Sequence, residues 1–318
     1  MNEFDLIAHY LQAHAGQRLD VALGIGDDCA LLTPRQNQSL AVTTDTLVEN
    51  IHFFPDTPVQ AIGHKCLAIS LSDLAAMGAE PAWVLLSLTL PAADPSWLQA
   101  FGQGFFPLLN QYQMQLVGGN MTAGPLSIST QVMGFIPSDS AILRSGAKPG
   151  DPIYVTGCLG DAGLALRCLQ NQIQLPADQL QFVRRRLDFP DPRIAIGLAL
   201  RFIAHSAIDI SDGLVADLEH ILVASGVGAQ INVDNLPLSP VLRSINPQLA
   251  QELALSAGDD YELCFTVAAE REKELDQICT QLGLPCHLIG KIEETPGLRL
   301  SYRKGQTATL VKKGYTHF

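Results

Sequence analysis

The sequence predicts a mixed α/β (α+β) protein of two domains, and three observations carry that expectation. The chain has 318 residues, 47% of them hydrophobic, which is enough to bury a large core and fits two domains better than one. Short apolar runs rich in β-branched residues alternate with segments of helical spacing along the chain. A stretch rich in proline, glycine and serine at 137–151 interrupts that alternation near the middle. The domains are therefore placed at residues 1–137 and 150–318.

Taken in order, residues 4–14 have the spacing of an amphipathic helix. Residues 38–43 form an apolar run that stops at Asp45, the pattern of a strand leading into a loop. Helical spacing returns over 58–77 and ends at Gly78, a C-terminal stop signal. A buried strand at 82–90, a proline-opened helix at 95–112 and a strand at 114–117 ending in Gly118-Gly119-Asn120 follow, then a strand at 126–135. In the second half, a strand at 152–156 runs into Gly157-Cys158-Leu159-Gly160-Asp161, a glycine-rich turn before a helix at 162–169. Further helices are expected at 177–186, 193–204, 214–224 and 270–282, and strands at 207–210, 229–233, 262–267 and 287–289. Residues 43–49 faintly echo residues 210–216, which would suit two related halves, although so short a match arises easily by chance.

Charge and cysteine usage exclude some classes of function. The formal net charge is −12 and the basic residues are scattered rather than striped, which argues against a nucleic-acid surface. An acidic chain binds an anionic substrate only through metal ions and a few local cations. No apolar stretch approaches a membrane span. Seven cysteines without a Cys-x-x-Cys pair, and no signal-peptide pattern, lead us to expect a reduced, cytoplasmic protein with cysteines as small core residues.

Four acidic segments stand where apolar runs end. Asp28 lies in Gly24-Ile25-Gly26-Asp27-Asp28-Cys29-Ala30, Thr43-Thr44-Asp45 close a strand, Asp73 lies in Leu71-Ser72-Asp73-Leu74, and Asp209-Ile210-Ser211-Asp212-Gly213 opens a helix. Each alone is equally a solvated turn, a helix cap or a polar helix position. Together they supply hard oxygen donors, and clustered carboxylates repel unless a cation such as magnesium joins them. Several magnesium ions in one site point to a polyphosphate. Gly118-Gly119-Asn120 and Gly157-Cys158-Leu159-Gly160 could cradle phosphate through backbone amides. The P-loop and dinucleotide-binding glycine patterns are both missing from the sequence. Arg144 is either a surface charge or a phosphate fork, and His52, beside Phe53-Phe54, is either a packed residue or a functional one.

In this order the segments resemble the thiamine-monophosphate kinase family. The resemblance is carried by Gly-Ile-Gly-Asp-Asp-Cys-Ala, Thr-Thr-Asp-Thr-Leu-Val, Leu-Ser-Asp-Leu-Ala-Ala-Met-Gly-Ala, Leu-Val-Gly-Gly-Asn, Arg-Ser-Gly-Ala-Lys-Pro-Gly-Asp, Asp-Ile-Ser-Asp-Gly-Leu and the ending Gly-Tyr-Thr-His-Phe. Sister enzymes include aminoimidazole ribonucleotide synthetase and selenophosphate synthetase. The resemblance implies their two-domain fold and ATP-dependent phosphorylation of thiamine monophosphate to thiamine diphosphate. It also implies a homodimer paired through strands of the amino-terminal domains, with ATP and several Mg2+ ions in a cleft. Carried across by motif, the metal ligands are Asp28, Thr43, Thr44, Asp45, Asp73, Asn120, Asp209 and Asp212. ATP would meet Gly119, Asn120, Arg144 and Ser211, and thiamine monophosphate would meet His52, Asp259 and Tyr315. Three positions depart from the family pattern. Asn120 is the neutral option at its loop, Asp259 is one methylene shorter than the family glutamate, and a tryptophan common near the end is replaced around Lys312, where Tyr315 or Phe318 could substitute.

A phosphate monoester has a second pKa of about 6 and is largely a dianion at neutral pH, so it needs no general base. The expected mechanism is direct in-line attack on the γ-phosphate with no phosphoenzyme and no residue acting as a general base. Three rivals stand beside it. Selenophosphate synthetase needs a reactive Cys in a glycine-rich amino-terminal loop, and residues 1–23 hold none. A non-catalytic metal-binding module would form no product, and a magnesium-dependent phosphohydrolase would release free phosphate.

Overall fold

The computed structural model describes residues 3–302 and 314–315. The chain divides into two compact units, Met1–Leu74 with Ala79–Asp139, and Ala75–Gly78 with Ser140–Phe318.

The first unit is built on a four-stranded sheet in the order β3-β6-β4-β5. It opens with α1 (Glu3–Leu6), which continues as a π turn (Ile7–Leu11) and a 3-10 turn (Gln12–His14) rather than one regular helix. A small hairpin of β1 (Val21–Leu23) and β2 (Leu31–Leu32) packs Val21, Ala30 and Leu32 against Trp83, Val117, Met133 and Phe135 of the sheet. Next come β3 (Gln38–Val48), α2 (Val59–Ala76), β4 (Glu80–Leu90), α3 (Pro95–Gln111), β5 (Gln115–Ala123) and β6 (Ser127–Pro137). Gly78, at φ +67°, stops α2, and the Asp94 carboxylate caps α3 by accepting from Ser96 N at 2.8 Å and Trp97 N at 3.3 Å. The two helices approach so closely that a Cβ on Gly104 would stand 1.8 Å from Gln60 O.

Two expectations change here. The strand expected at 38–43 runs on to Val48, so Asp45 sits mid-strand, hydrogen-bonded in register with Thr130 of β6. Threonines 43, 44 and 46 are β-branched and sustain the strand past the point where apolar residues run out. Likewise Gly118-Gly119-Asn120 is not a loop after a strand but the middle of β5, paired with Leu85, Leu86 and Ser87. Gly119 is required there: its φ is +151°, and a Cβ would lie 1.8 Å from Leu86 O.

The second unit holds a six-stranded mixed sheet in the order β12-β9-β11-β7-β10-β8. Its elements are β7 (Pro152–Thr156), α4 (Asp161–Leu169), α5 (Ala177–Asp188), α6 (Ile194–Leu200), β8 (Ala204–Asp209), α7 (Leu214–Ser225), β9 (Gly228–Asn232), α8 (Pro240–Ser244), α9 (Pro247–Ser256), β10 (Leu263–Val267), α10 (Glu272–Leu282), β11 (Cys286–Glu293) and β12 (Gly297–Ser301). Val155, Ile208, Leu218, Ile221, Cys264 and Ile289 form the middle of its core. β12, the hairpin and α8–α9 had no distinct periodicity. The faint repeat has no structural counterpart, because Asp45 lies within a strand while Asp212 lies in a loop before a helix. Cys66 and Cys264 are buried as expected, whereas Cys29 is exposed.

Beneath one end of this sheet the Glu262 carboxylate is fully buried and gripped by Arg186 at 2.6 Å and Arg193 at 2.5 Å, with Thr156 Oγ1 donating at 2.6 Å. Burial alone would raise its pKa, but the Arg193 hydrogen bond and the two guanidinium charges outweigh it and hold the carboxyl below its ordinary range.

Candidate functional site

In the first unit the donors on β3 divide between the two faces of the sheet, because strand side chains alternate. Thr43, Asp45 and Leu47 share the face that meets α2, and Thr44 and Thr46 point the other way. Thr43 Oγ1 donates to Asp73 Oδ2 of α2. Ser70, one helical turn earlier on the same face of α2, donates to Asp45 Oδ2 at 2.7 Å and shares a 2.9 Å hydrogen bond with Thr130 Oγ1. Thr130 in turn donates to Cys66 O at 2.8 Å. This chain of hydroxyls fixes the Asp45 carboxylate. Burial pushes Asp45 toward protonation, opposed by the Ser70 hydrogen bond and by the nearby His52. His52 follows the strand and its Nδ1 accepts from Val48 N at 3.0 Å, so it also ends β3.

The other donors expected in this unit lie elsewhere. Asn120 pairs with Ser87, which pairs with Ser129 and then Thr46, so its side chain belongs to the face opposite Asp45. Thr44 is on that same opposite face and donates to Thr130 O at 3.0 Å. Asp28 sits in an exposed turn in which its own N–H donates to Asp27 Oδ1 at 2.9 Å. The structure thus brings Thr43, Asp45 and Asp73 together with His52, and keeps Thr44 and Asn120 apart from them.

In the second unit the loop Ile210–Gly213 joins β8 to α7 and is held on both edges. On its amide edge, Ser211 N, Asp212 N and Gly213 N all donate to Asp217 Oδ2 at 3.1, 3.0 and 3.1 Å. On its carbonyl edge, Ile210 O accepts from Tyr261 N at 2.8 Å, Ser211 O from Asp259 N at 2.8 Å and Asp212 O from Tyr315 N at 3.1 Å. Asp259, at φ +67°, also receives the Tyr261 hydroxyl at 3.1 Å. Ser211, Asp212, Asp259 and Tyr315 are therefore one cluster, with Asp209 just before it as the last residue of β8. Burial pushes the Asp217 carboxyl up to about 7, with three amide hydrogen bonds working against it and the Asp212 charge adding to it.

Arg144 is exposed and remote from that loop. Ser225, the last residue of α7, donates to Arg144 O at 3.2 Å and accepts from Gly146 N at 3.1 Å. The 12 residues of α7 span about 18 Å at 1.5 Å per residue, which separates the Arg144 backbone from Ser211. The phosphate-cradle reading of Gly157–Gly160 loses its ground, because three of its four amides are already used: Gly157 N donates to Pro285 O, Leu159 N to Pro237 O, and Gly160 N to both oxygens of the buried Asp260 at 2.9 Å. Lys312 and Phe318 lie outside the described residues.

Sequence reasoning missed Ser70 and Asp217. Ser70 was legible from its spacing of three before Asp73 on a helix; Asp217 carried only its place in the first turn of α7. Among the described residues, no three His, Cys, Asp or Glu side chains form a metal cage by themselves. The donor chemistry nevertheless fits a hard cation: carboxylates and hydroxyls, with a desolvated Asp45 that a positive charge would hold ionised.

Two α/β units, one presenting carboxylates on a strand and the other on a strand-to-helix loop, define a two-domain α/β class of protein whose sequence has no P-loop pattern. Residues 26–136 match the family described as AIR synthase related protein, N-terminal domain, and residues 148–303 match its C-terminal domain. The Escherichia coli (strain K12) thiamine-monophosphate kinase is 50% identical over 318 residues, covering 99% of this chain and 98% of the relative. The crystal structure of thiamine-monophosphate kinase from Stenotrophomonas maltophilia K279a is 45% identical with a TM-score of 0.89, covering 97% of this chain and 98% of the other. The structure of AaThiL complexed with AMPPCP and TMP is 31% identical with a TM-score of 0.79, covering 99% and 97%. This chain belongs to the AIR synthase related family and, within it, to the thiamine-monophosphate kinases.

Proposed function

We propose that this protein transfers the γ-phosphate of ATP to thiamine monophosphate, yielding thiamine diphosphate and ADP, by direct in-line attack. The observation that carries this reading is the full-length likeness to a structure complexed with AMPPCP and TMP, an ATP analogue together with the acceptor. The residues support it chemically. The acceptor phosphate is already a nucleophile at neutral pH, so the protein's task is to align two polyanions.

In this reading magnesium is held by Thr43, Asp45 and Asp73, which the first unit brings together, and by Asp209 and Asp212 of the second unit, while Asp28, Thr44 and Asn120, which lie apart from that group, would serve separate ions. When bound, magnesium neutralises phosphate oxygens and holds donor and acceptor in line. Ser70 orients Asp45 and Thr43 orients Asp73, so that their lone pairs are fixed before substrate arrives. Gly119, Arg144 and Ser211 take the nucleotide. With Arg144 and Ser211 at opposite ends of α7, the two residues would meet different ends of it. His52, Asp259 and Tyr315 take thiamine monophosphate. A homodimer paired through amino-terminal strands belongs to the same proposal, supported by the 11-residue edge strand β3 with Leu40 and Val42 exposed on it. So does a cytoplasmic location.

The test is incubation with ATP, Mg2+ and thiamine monophosphate. Thiamine diphosphate and ADP in equal amounts, no labelled enzyme after quenching, and loss of turnover on chelation are the expected results. Free phosphate alone would favour a phosphohydrolase, and no product would favour a binding module.

A further inference from the structure

The amides at the start of a helix are the usual seat for an external phosphate. In the Ser211–Gly213 loop that seat is taken by the chain itself, since three consecutive amides converge on the single oxygen Asp217 Oδ2 at 3.0–3.1 Å. Asp217 is 3% exposed, so the carboxylate is sealed beneath the loop rather than competing for it from solvent. The loop carbonyls are also engaged, by the amides of Asp259, Tyr261 and Tyr315. With both backbone edges occupied, the loop turns side-chain oxygens rather than amides toward a ligand.

We propose that Asp217 is a positioning residue that acts as a built-in acceptor: it fills the amide nest a phosphate would fill in a P-loop-like site, and so sets Ser211 and Asp212 to meet the nucleotide through a cation. The inference rests on the kinase reading and deepens it, by assigning the geometry of the second unit's donors to a residue that touches neither substrate. Truncation to Asp217→Ala would leave three unpaired amides and a void about the size of a carboxyl group. A small external carboxylate, formate, has the charge and shape to refill it. Asp217→Leu occupies the void and excludes formate.

Three measurements test this on the full chain. In the protein without nucleotide or metal, hydrogen exchange at the 211–213 amides is expected to accelerate at least about tenfold in Asp217→Ala and to slow again with formate. Affinity for ATP with Mg2+, by calorimetry, is expected to fall about tenfold or more, and kcat about 10- to 100-fold, the range for a partner that orients a metal-site group. Formate should restore part of both losses in Asp217→Ala and none in Asp217→Leu. An Asp217→Ala protein with unchanged exchange, nucleotide affinity and kcat overturns the proposal, as does a folded Asp217→Ala protein whose losses formate leaves untouched. Failure of the unaltered protein to form thiamine diphosphate would instead count against the kinase reading, while the exchange and calorimetric results would still decide the role of Asp217.

Discussion

In the first unit Asp45, the proposed magnesium ligand, stands within an 11-residue strand and is fixed by one side-chain hydroxyl, that of Ser70. In the second, Asp212 stands in a loop with no strand to stiffen it, and the backbone of residues 210–213 is fixed on its amide edge by Asp217 and on its carbonyl edge by the amides of residues 259, 261 and 315. A strand comes with its backbone hydrogen bonds already made, so only the side chain needs orienting. A loop has to find partners for every amide and carbonyl, and it recruits a buried carboxylate to do so. The difference teaches that equal donor chemistry requires unequal support, and that the support of the loop is the more costly to lose.

The sharpest way to break that contrast is at the buried charge network behind the second unit's loop. Glu262→Gln leaves Arg186 and Arg193 without their anion and is expected to cost about 3–5 kcal/mol of stability, read by urea unfolding. Because the Glu262 carboxyl is held below its ordinary range, the stability it contributes is present above that range and is lost as pH falls through the lowered value. The gap between the two proteins should therefore narrow below about pH 4. A gap independent of pH would remove Glu262 from the network.

Next in size is the proposed strand-borne ligand, Asp45. Asp45→Asn should lower kcat by about 100- to 1,000-fold, with an unfolding midpoint close to that of the parent, because β3 keeps its backbone pairing. Near-normal turnover would exclude Asp45 from the site. Gly119→Ala tests the claim that a strand arrives pre-stiffened. Its Cβ would collide with Leu86 O and its backbone is left-handed, so a loss of at least about 2 kcal/mol is expected. The smallest effect belongs to Ser70→Ala. It removes one hydrogen bond to Asp45 and should cost about 1 kcal/mol of stability and lower kcat about tenfold. If Ser70→Ala proved as damaging as Asp217→Ala, the asymmetry between strand and loop would collapse.

Much of this was legible in the sequence. The strand at Pro152–Thr156 is found where apolar residues and a following glycine turn put it, and α2 stops where Gly78 predicts. What escaped had physical reasons. Asp45 looked like a strand terminus because hydropathy falls there, whereas threonine's β-branching carries the strand onward without apolar character. Asn120 looked like a loop residue because two glycines precede it, yet those glycines admit a close neighbouring strand. Gly157 and Gly160 looked like a phosphate cradle because a motif shows which amides exist but not which are already occupied. Asp217 has no signature of its own and Ser70 only its spacing from Asp73; each is defined by the partner the fold brings to it, the loop amides for one and the Asp45 carboxylate for the other.

The pairing of β3 with β6 also sets an order of assembly. The two strands are about 80 to 100 residues apart in sequence, the longest loop closure in the first unit's sheet, and among the described residues β3 pairs with no other strand. During synthesis, Thr43 and Asp45 leave the ribosome early but have no strand to lie against until residues 127–137 have followed. Asp45, proposed to hold magnesium, is therefore among the first residues made and among the last of its sheet to be put in place. A nascent or truncated first unit would carry that carboxylate's chemistry without its geometry.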